Sequence, residues 1–360
     1  MTSDADREID ALRRLLREHG LIEEHEPATA DVRPADSIRL ARRVQAEPAI
    51  GQRRWGTLVA LTAAAACLVF IAAVVVTWAR PEPAQAAATP RMLTYTLANP
   101  AAGLESASPA GRALTTAAQR AASQPDAAAD GDVQYTASYG WSLSITHDKS
   151  ATTSRLYPTF TRFWLAPDGS ATRTQSRGAE LDIEGREVAG GPMGVGGTDT
   201  LPVGSLDAGL VTALAERDSL QAVEDGLLAL SPTLACDQDP RWHAQCLVEA
   251  IQQVYGLYVV PADLAGSFWQ VLASEVAVKD LGVTTDRLGR PAWAVALPSD
   301  PDDPVRSTNT VLLISQATGQ LSGVEVITRS DTVSSVSEPT VTTFTAWTVQ
   351  ARVQRVGAEP

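Results

Sequence analysis

Residues 133–146, Val-Gln-Tyr-Thr-Ala-Ser-Tyr-Gly-Trp-Ser-Leu-Ser-Ile-Thr, carry an apolar or aromatic side chain at every odd position and a small or polar one at every even position. That alternation has the period of a β-strand with one face on a core and the other toward water. At about 3.3 Å per residue such a strand runs past about 40 Å, against a common strand of about 5–6 residues. A strand this long must twist or curl, and Gly140 is the natural place for a bend.

Working outward, a hairpin follows: Leu156–Ala166, the turn Pro167-Asp168-Gly169, then Ser170–Ser176. Residues Leu181–Val188 read as a further weak strand, and Leu93, Tyr95 and Leu97, alternating with Thr94 and Thr96, as a short one upstream. Ala113–Ala122 reads as an Ala-rich helix. Between Leu206 and Ala273 the period becomes helical, with stripes at Leu210/Ala213/Leu214, Leu220/Val223/Leu227/Leu230, Leu247/Ile251/Val254 and Leu264/Phe268/Val271/Leu272. Strands return at Val276–Val283, Trp293–Leu297, Val311–Ser315, Gly323–Thr328 and Thr340–Val353. Strands, then helices, then strands, joined by hairpin-sized links, predict an α+β domain: a curved antiparallel sheet packed with helices.

Upstream of this domain, Gly56–Ala79 holds 24 residues without a charge. As a helix this is roughly 36 Å long, enough for a hydrocarbon core of roughly 30 Å. Arg39, Arg42, Arg43, Arg53 and Arg54 precede it, whereas only Arg80 and Arg91 follow closely. The positive-inside rule therefore expects the N-terminus in the cytoplasm and the C-terminal domain outside the plasma membrane. Trp55 and Trp78 sit where interfacial aromatics are expected. The leading 55 residues are too many for the n-region of a cleaved signal peptide, so the helix is read as an anchor. The expected organisation is a cytoplasmic stub over 1–55, a membrane helix over 56–79, a Pro/Ala linker over 80–90 and an exported domain over 91–355. In the stub, Asp4–His19 reads as an amphipathic helix whose face of Ile9, Leu12 and Leu16 is the candidate surface for a cytoplasmic regulatory partner.

Of the 29 basic and 42 acidic residues, 10 and 11 lie in 1–55, which leaves 19 against 31 beyond the membrane segment. An acidic outer domain offers no basic footprint for nucleic acid. Three cysteines occur. Cys67 falls inside the apolar segment, and Cys236 and Cys246, both on the exported side, are expected to form a disulfide in an oxidising compartment. His243 lies between them, but two Cys and one His fall short of a zinc site.

Other motifs favour no chemistry. Gly190–Gly197 lacks the Lys and the following helix of a phosphate loop, and the acidic run at Asp300–Asp303 lacks the ligand spacing of a calcium loop. No Gly-x-Ser-x-Gly elbow occurs. No cofactor or metal and no enzymatic activity are expected. The aromatic face of Tyr135, Tyr139, Trp141 and Leu143, joined by Trp164 and Trp293, is the candidate surface for a hydrophobic ligand. Aromatics on a strand face are also ordinary core.

Three turn motifs carry a resemblance: Trp164-Leu165-Ala166-Pro167-Asp168-Gly169-Ser170, Thr285-Asp286-Arg287-Leu288-Gly289-Arg290 and Ala317-Thr318-Gly319-Gln320-Leu321. With the stub, the membrane helix and the linker, they resemble a family of uncharacterised single-pass envelope proteins of high-GC Gram-positive bacteria, from which no catalytic residue carries over. The long curved strand and the Pro-Asp-Gly hairpin resemble the lipoprotein-carrier half-barrel, a fold shared by lipid carriers and by sensor domains that control membrane-bound anti-sigma factors. The stub has no cysteine and so departs from zinc-type anti-sigma factors. The resemblance implies a membrane-tethered extracytoplasmic sensor or regulator, or alternatively a tethered binder or carrier of lipid or another hydrophobic envelope component.

Overall fold

The computed structural model describes residues 90–126, 130–147, 152–188, 196–231, 236, 240–298, 306–331, 336 and 338–360. The stub with Ile9, Leu12 and Leu16, the 56–79 segment, all of the linker but Pro90, and the acidic run at 300–303 lie outside the described residues. Among the described residues no helix is long and apolar enough to cross a membrane.

Nine strands form one sheet: β1 (Val133–His147), β2 (Thr152–Leu165), β3 (Ala171–Arg177), β4 (Gly197–Leu201), β5 (Lys279–Thr285), β6 (Pro291–Pro298), β7 (Arg306–Ser315), β8 (Leu321–Asp331) and β9 (Thr340–Val353). Their order is β4-β3-β2-β1-β9-β8-β7-β6-β5, and every neighbouring pair is antiparallel. The long alternating strand thus lies inside the sheet, beside the central β9, and pairs in unbroken register with β2 from Gln134↔Leu165 to His147↔Thr152. Its pairing with β9 shifts at Ala137/Ser138, where β9 bulges. Gly140 is required by proximity as much as by bending, because a Cβ there would collide with the Phe344 carbonyl of β9.

Among the described residues the α-helices are α1 (Gly111–Ala122), α2 (Leu210–Ala215), α3 (Leu220–Leu230), α4 (His243–Leu257) and α5 (Ala262–Ala273); α2 departs from the expected stripe by burying Val211 and exposing Ala213. In α1 the buried residues Leu114, Ala117, Ala118 and Ala121 line one stripe. Small residues let α1 approach α5, since a Cβ on Gly266 would lie 3.2 Å from the Ala118 carbonyl. Ser219 caps α3, its hydroxyl accepting the Ala222 amide at 3.2 Å. The helices cover one face of the sheet, and their core includes Tyr255, Phe268 and Trp269 against Leu165, Val295, Leu312, Ile314 and Trp347.

The opposite face has its own core, built on Trp141, Leu156, Leu281, Val311, Leu313, Ile327, Val341 and Phe344. It is covered by a strap, residues 91–110, that leads from the linker into α1. Two-sided burial explains the nearly continuous apolar runs of β6 and β7, which do not alternate. It also corrects the expectation of a wet face on β1. Gln134 and Thr136 point at the helices and are buried. Gln134 donates to the Ala208 carbonyl at 3.0 Å and accepts the Val259 amide at 3.1 Å, while Thr136 donates to the Gly256 carbonyl at 3.2 Å. Polar side chains are admitted there because each finds a backbone partner.

Three other expectations change. Leu93–Leu97 is not a strand but part of the strap, held at the β5 edge by Leu97 N–H to the Leu281 carbonyl at 3.0 Å. Leu181–Val188 makes only isolated bridges, Leu181 with Leu156 and with Glu187. The strand beside β3 is instead the polar β4, which begins at the last residue of the Gly-rich run.

Candidate functional site

The three turn motifs each close a hairpin. In Ala166–Ser170, the Asp168 carboxylate accepts the Ser170 amide at 2.9 Å and hydroxyl at 2.6 Å. At Ala317–Leu321, Gly319 adopts φ 73° and leans on α1, while its carbonyl accepts the Trp269 indole N–H at 2.6 Å. The β5–β6 turn carries the most chemistry. Asp286 Oδ1 accepts the amides of Leu288 and Arg290 at 2.9 and 2.8 Å, which rigidifies a loop bearing two guanidinium groups with different destinations.

Arg287 enters the strap-covered face. Its Nε lies 2.6 Å from Glu325 Oε1, Nη2 donates to the Arg91 carbonyl at 3.1 Å, and the guanidinium lies over Trp141 and Phe344, 5.1 and 5.7 Å from the ring centroids. Glu325 is fully buried, and its other oxygen accepts the Tyr95 hydroxyl at 3.2 Å. Burial raises the Glu325 carboxyl above its ordinary range, and the Arg287 charge only partly offsets that rise. Tyr95 is pushed up as well, first by burial and then by the neighbouring Glu325 charge. Between strap and sheet edge opens a cleft of about 430 Å³, lined by Arg91, Met92, Leu93, Thr94, Thr284, Thr285 and Arg287.

Arg290 turns the other way. It donates to Asp286 at 2.7 Å, to the Trp347 carbonyl at 2.8 Å and to the Ser322 carbonyl at 2.7 Å. These bonds bridge the point where β8 and β9 separate: their pairing stops at Gly323↔Ala346, and β9 continues along β1 alone. A second cleft, of about 470 Å³, opens there. Pro291, Leu321, Trp347 and Val349 give it apolar walls, Ala317, Thr318 and Thr348 form part of its lining, and Arg290 is the one charged residue in it. The volume falls within the usual range for small-molecule sites, about 300–1,000 Å³. The space between helices and sheet, in contrast, is occupied: Tyr255, Phe268, Trp269, Leu247, Ile251, Leu264 and Leu272 are all nearly or fully inaccessible.

The residues expected to form a hydrophobic-ligand face divide between the two faces. Tyr135 packs on Trp164 with centroids 5.3 Å apart, and Trp164 donates to the Ala358 carbonyl at 2.7 Å. Tyr139 packs on Phe160 at 4.9 Å, and Trp141 and Leu143 join the strap-covered core. These five lie on the face away from the helices. Trp293 packs against the helix-side core and is not brought together with them. Cys236 and Cys246 are disulfide-bonded, with Cα atoms 6.1 Å apart. His243, between them in sequence, lies instead between two carboxylates, with Nε2 3.1 Å from Glu224 and Nδ1 3.0 Å from Glu275. Sequence reasoning missed Glu325, Arg287, Asp286 and Arg290 as site residues, whereas Trp347 counts among the aromatics that reading offers for a hydrophobic ligand. One signal was present: a lone Glu within the apolar stretch Gly323-Val324-Glu325-Val326-Ile327.

The architecture defines a class, an α+β protein whose single antiparallel sheet is covered by helices on one face and by its own leading segment on the other. No protein-family model and no curated protein matches the sequence. Among solved structures, a DUF1329 family protein from Desulfovibrio piger is similar, with 9% identity, 69% of this chain and 94% of that chain covered, and a TM-score of 0.18. A LolA superfamily protein from Nitrosomonas europaea shows 8% identity over 67% of this chain and 94% of that chain, with a TM-score of 0.15. At TM-scores this low the overlap carries no argument about fold or function, and it does not bear on the envelope family that the motifs resemble.

Proposed function

We propose that the protein is a non-enzymatic, membrane-tethered binder of a lipid or another hydrophobic component of the cell envelope, displayed outside the plasma membrane. The observation that carries this reading is the cleft at the β8–β9 separation, walled by Trp347, Leu321, Val349 and Pro291. A concave apolar surface with few, fixed polar groups suits a greasy ligand oriented by one end. Arg290, already neutralised by Asp286, offers hydrogen bonds there more than net charge. Because the helix–sheet interior is filled, the ligand is taken at the sheet's opening and not inside a closed barrel.

Native mass spectrometry of the full chain in a neutral detergent tests this. The wild-type chain is expected to retain an organic-extractable adduct. Thr348→Trp, which places a bulky side chain at an exposed position of the cleft, is expected to lose it. A wild-type chain without adduct, or an adduct indifferent to Thr348→Trp, would overturn the reading.

A second reading, an extracytoplasmic regulator acting through the cytoplasmic face of Ile9, Leu12 and Leu16, is favoured by the strap. The segment joining the linker to the sheet is pinned at a buried ion pair through Tyr95, so release of the strap would be felt at the tether. Failure of residues 1–55, displayed on the full chain, to cross-link any cytoplasmic protein would remove its mechanism.

A further inference from the structure

The strap-side cleft has a different chemistry from the one at Trp347 and stands apart from it. Its lining holds two guanidinium groups and three threonines, with Met92 and Leu93, and no carboxylate among the described residues. Two buried acids flank Arg287, and both are already engaged: Glu325 by Arg287 and by Tyr95, and Asp286 by the Arg290 guanidinium and the amides of Leu288 and Arg290. The cleft is therefore a positive recess on a domain whose acidic residues outnumber its basic ones.

The two arginines are unequal partners. Arg287 is fixed on three sides: by Glu325, by the Arg91 carbonyl and by the rings of Trp141 and Phe344. Its Nη1 has no partner among the described residues, and its side chain remains 18% exposed. Arg91 is exposed at the mouth, and its guanidinium takes no partner among the described residues. A preorganised fork and a free fork lining one recess can hold an oxyanion between them. The apolar part of the site is also present. Met92 and Leu93 form part of the lining. A simple inorganic anion would leave this apolar part of the lining uncovered.

We propose that this cleft binds an anionic amphiphile, its phosphate or carboxylate head between Arg91 and Arg287 and its apolar tail along Met92 and Leu93. The strap supplies half of the site, so the ligand bridges the leading segment and the sheet.

Calorimetric titration of the full chain in a neutral detergent, with hexyl phosphate, inorganic phosphate and hexanol as probes, tests the assignment. Hexyl phosphate is expected to bind saturably, and each of the other two at least about tenfold more weakly, since each lacks one half of the recognition. Arg91→Glu is expected to weaken hexyl phosphate by at least about tenfold. Its thermal transition should not move, because that guanidinium holds nothing in the fold. Thr94→Glu, a second exposed position on the lining, is expected to act in the same way. Equal binding of inorganic phosphate would reduce the cleft to a simple anion site and overturn the proposal. So would the absence of saturable binding, or affinity unchanged in both variants. Thr348→Trp separates the two clefts: if it abolished hexyl phosphate binding while Arg91→Glu did not, the ligand would belong to the Trp347 cleft and this assignment would fall alone.

Discussion

Arg287 Nε lies 2.6 Å from Glu325 Oε1, and the two come from opposite ends of the sheet's β5–β8 half to meet beneath the strap. Glu325 is fully enclosed, so its charge is tolerable only because Arg287 and Tyr95 satisfy it. Removing the cation alone strands a buried carboxylate. Arg287→Met is expected to cost about 3–5 kcal/mol in chemical denaturation of the full chain, and the double variant Arg287→Met/Glu325→Met to recover more than half of that. Equal losses in the single and double variants would show that packing, not charge, dominates here.

The same carboxylate has a pH signature. Its folded pKa is raised, chiefly by burial, with Arg287 opposing. The contribution to stability is then complete below the unfolded carboxylate value of about 4.3 and is lost as pH rises through the folded value. Wild type is therefore expected to lose stability relative to Glu325→Gln as pH rises above the unfolded carboxylate value of about 4.3. Paired denaturation curves across that window check it; a difference moving in wild type's favour with rising pH would mean that the ion pair outweighs burial.

The strap depends on one backbone conformation. Gly282 sits at φ 82° in a bulge of β5, and a Cβ there would collide with Thr96 Oγ1. Gly282→Ala is expected to cost at least about 1 kcal/mol and to loosen the strap locally. Hydrogen exchange should accelerate at the Leu97 and Val283 amides, which bond to the Leu281 carbonyl and to Thr96 Oγ1. Unchanged exchange would place the strap's anchorage elsewhere.

The disulfide closes a short loop onto α4, where Cys246 is fully buried. By chain entropy its removal as Cys236→Ser/Cys246→Ser is expected to cost about 2–3 kcal/mol. A non-reducing against reducing denaturation series on wild type gives the same quantity independently, and agreement within error of zero would show the bond to be dispensable.

Much of the fold was legible because one side chain period persisted long enough to be read. β1 and β9 and the stripes of α4 and α5 follow the apolar spacing, α3 follows it except at the exposed Leu220, and α2 buries Val211 in place of Ala213; the Pro167-Asp168-Gly169 turn announced its own chemistry. What escaped reading has a physical cause in each case. β4 is nearly all exposed and polar, so it carries no alternation. The strap alternates like a strand but spends its backbone bonds on a glycine bulge at the sheet edge. The even face of β1 looked wet because Gln134 and Thr136 are polar, and only the helix-layer backbone above them shows why they are buried. The ligand-face reading joined residues by type. Trp293 alternates with Ala292 and Ala294, which sends it to the helix side while Tyr135, Tyr139, Trp141, Leu143 and Trp164 go to the other. The charged centre was hardest to see, because Arg287 and Glu325 stand 38 positions apart.

The central claim, that a hydrophobic envelope component occupies the opening between β8 and β9, is tested most directly by photo-cross-linking in the native membrane. A benzophenone side chain placed at Thr318, an exposed position of the cleft lining, is compared with one at Val203, 69% exposed and outside that lining. Illumination followed by intact-mass measurement of the full chain is expected to give a discrete adduct of lipid mass at position 318 and none at 203. Bare protein at both positions, or the same adducts at both, would contradict the account.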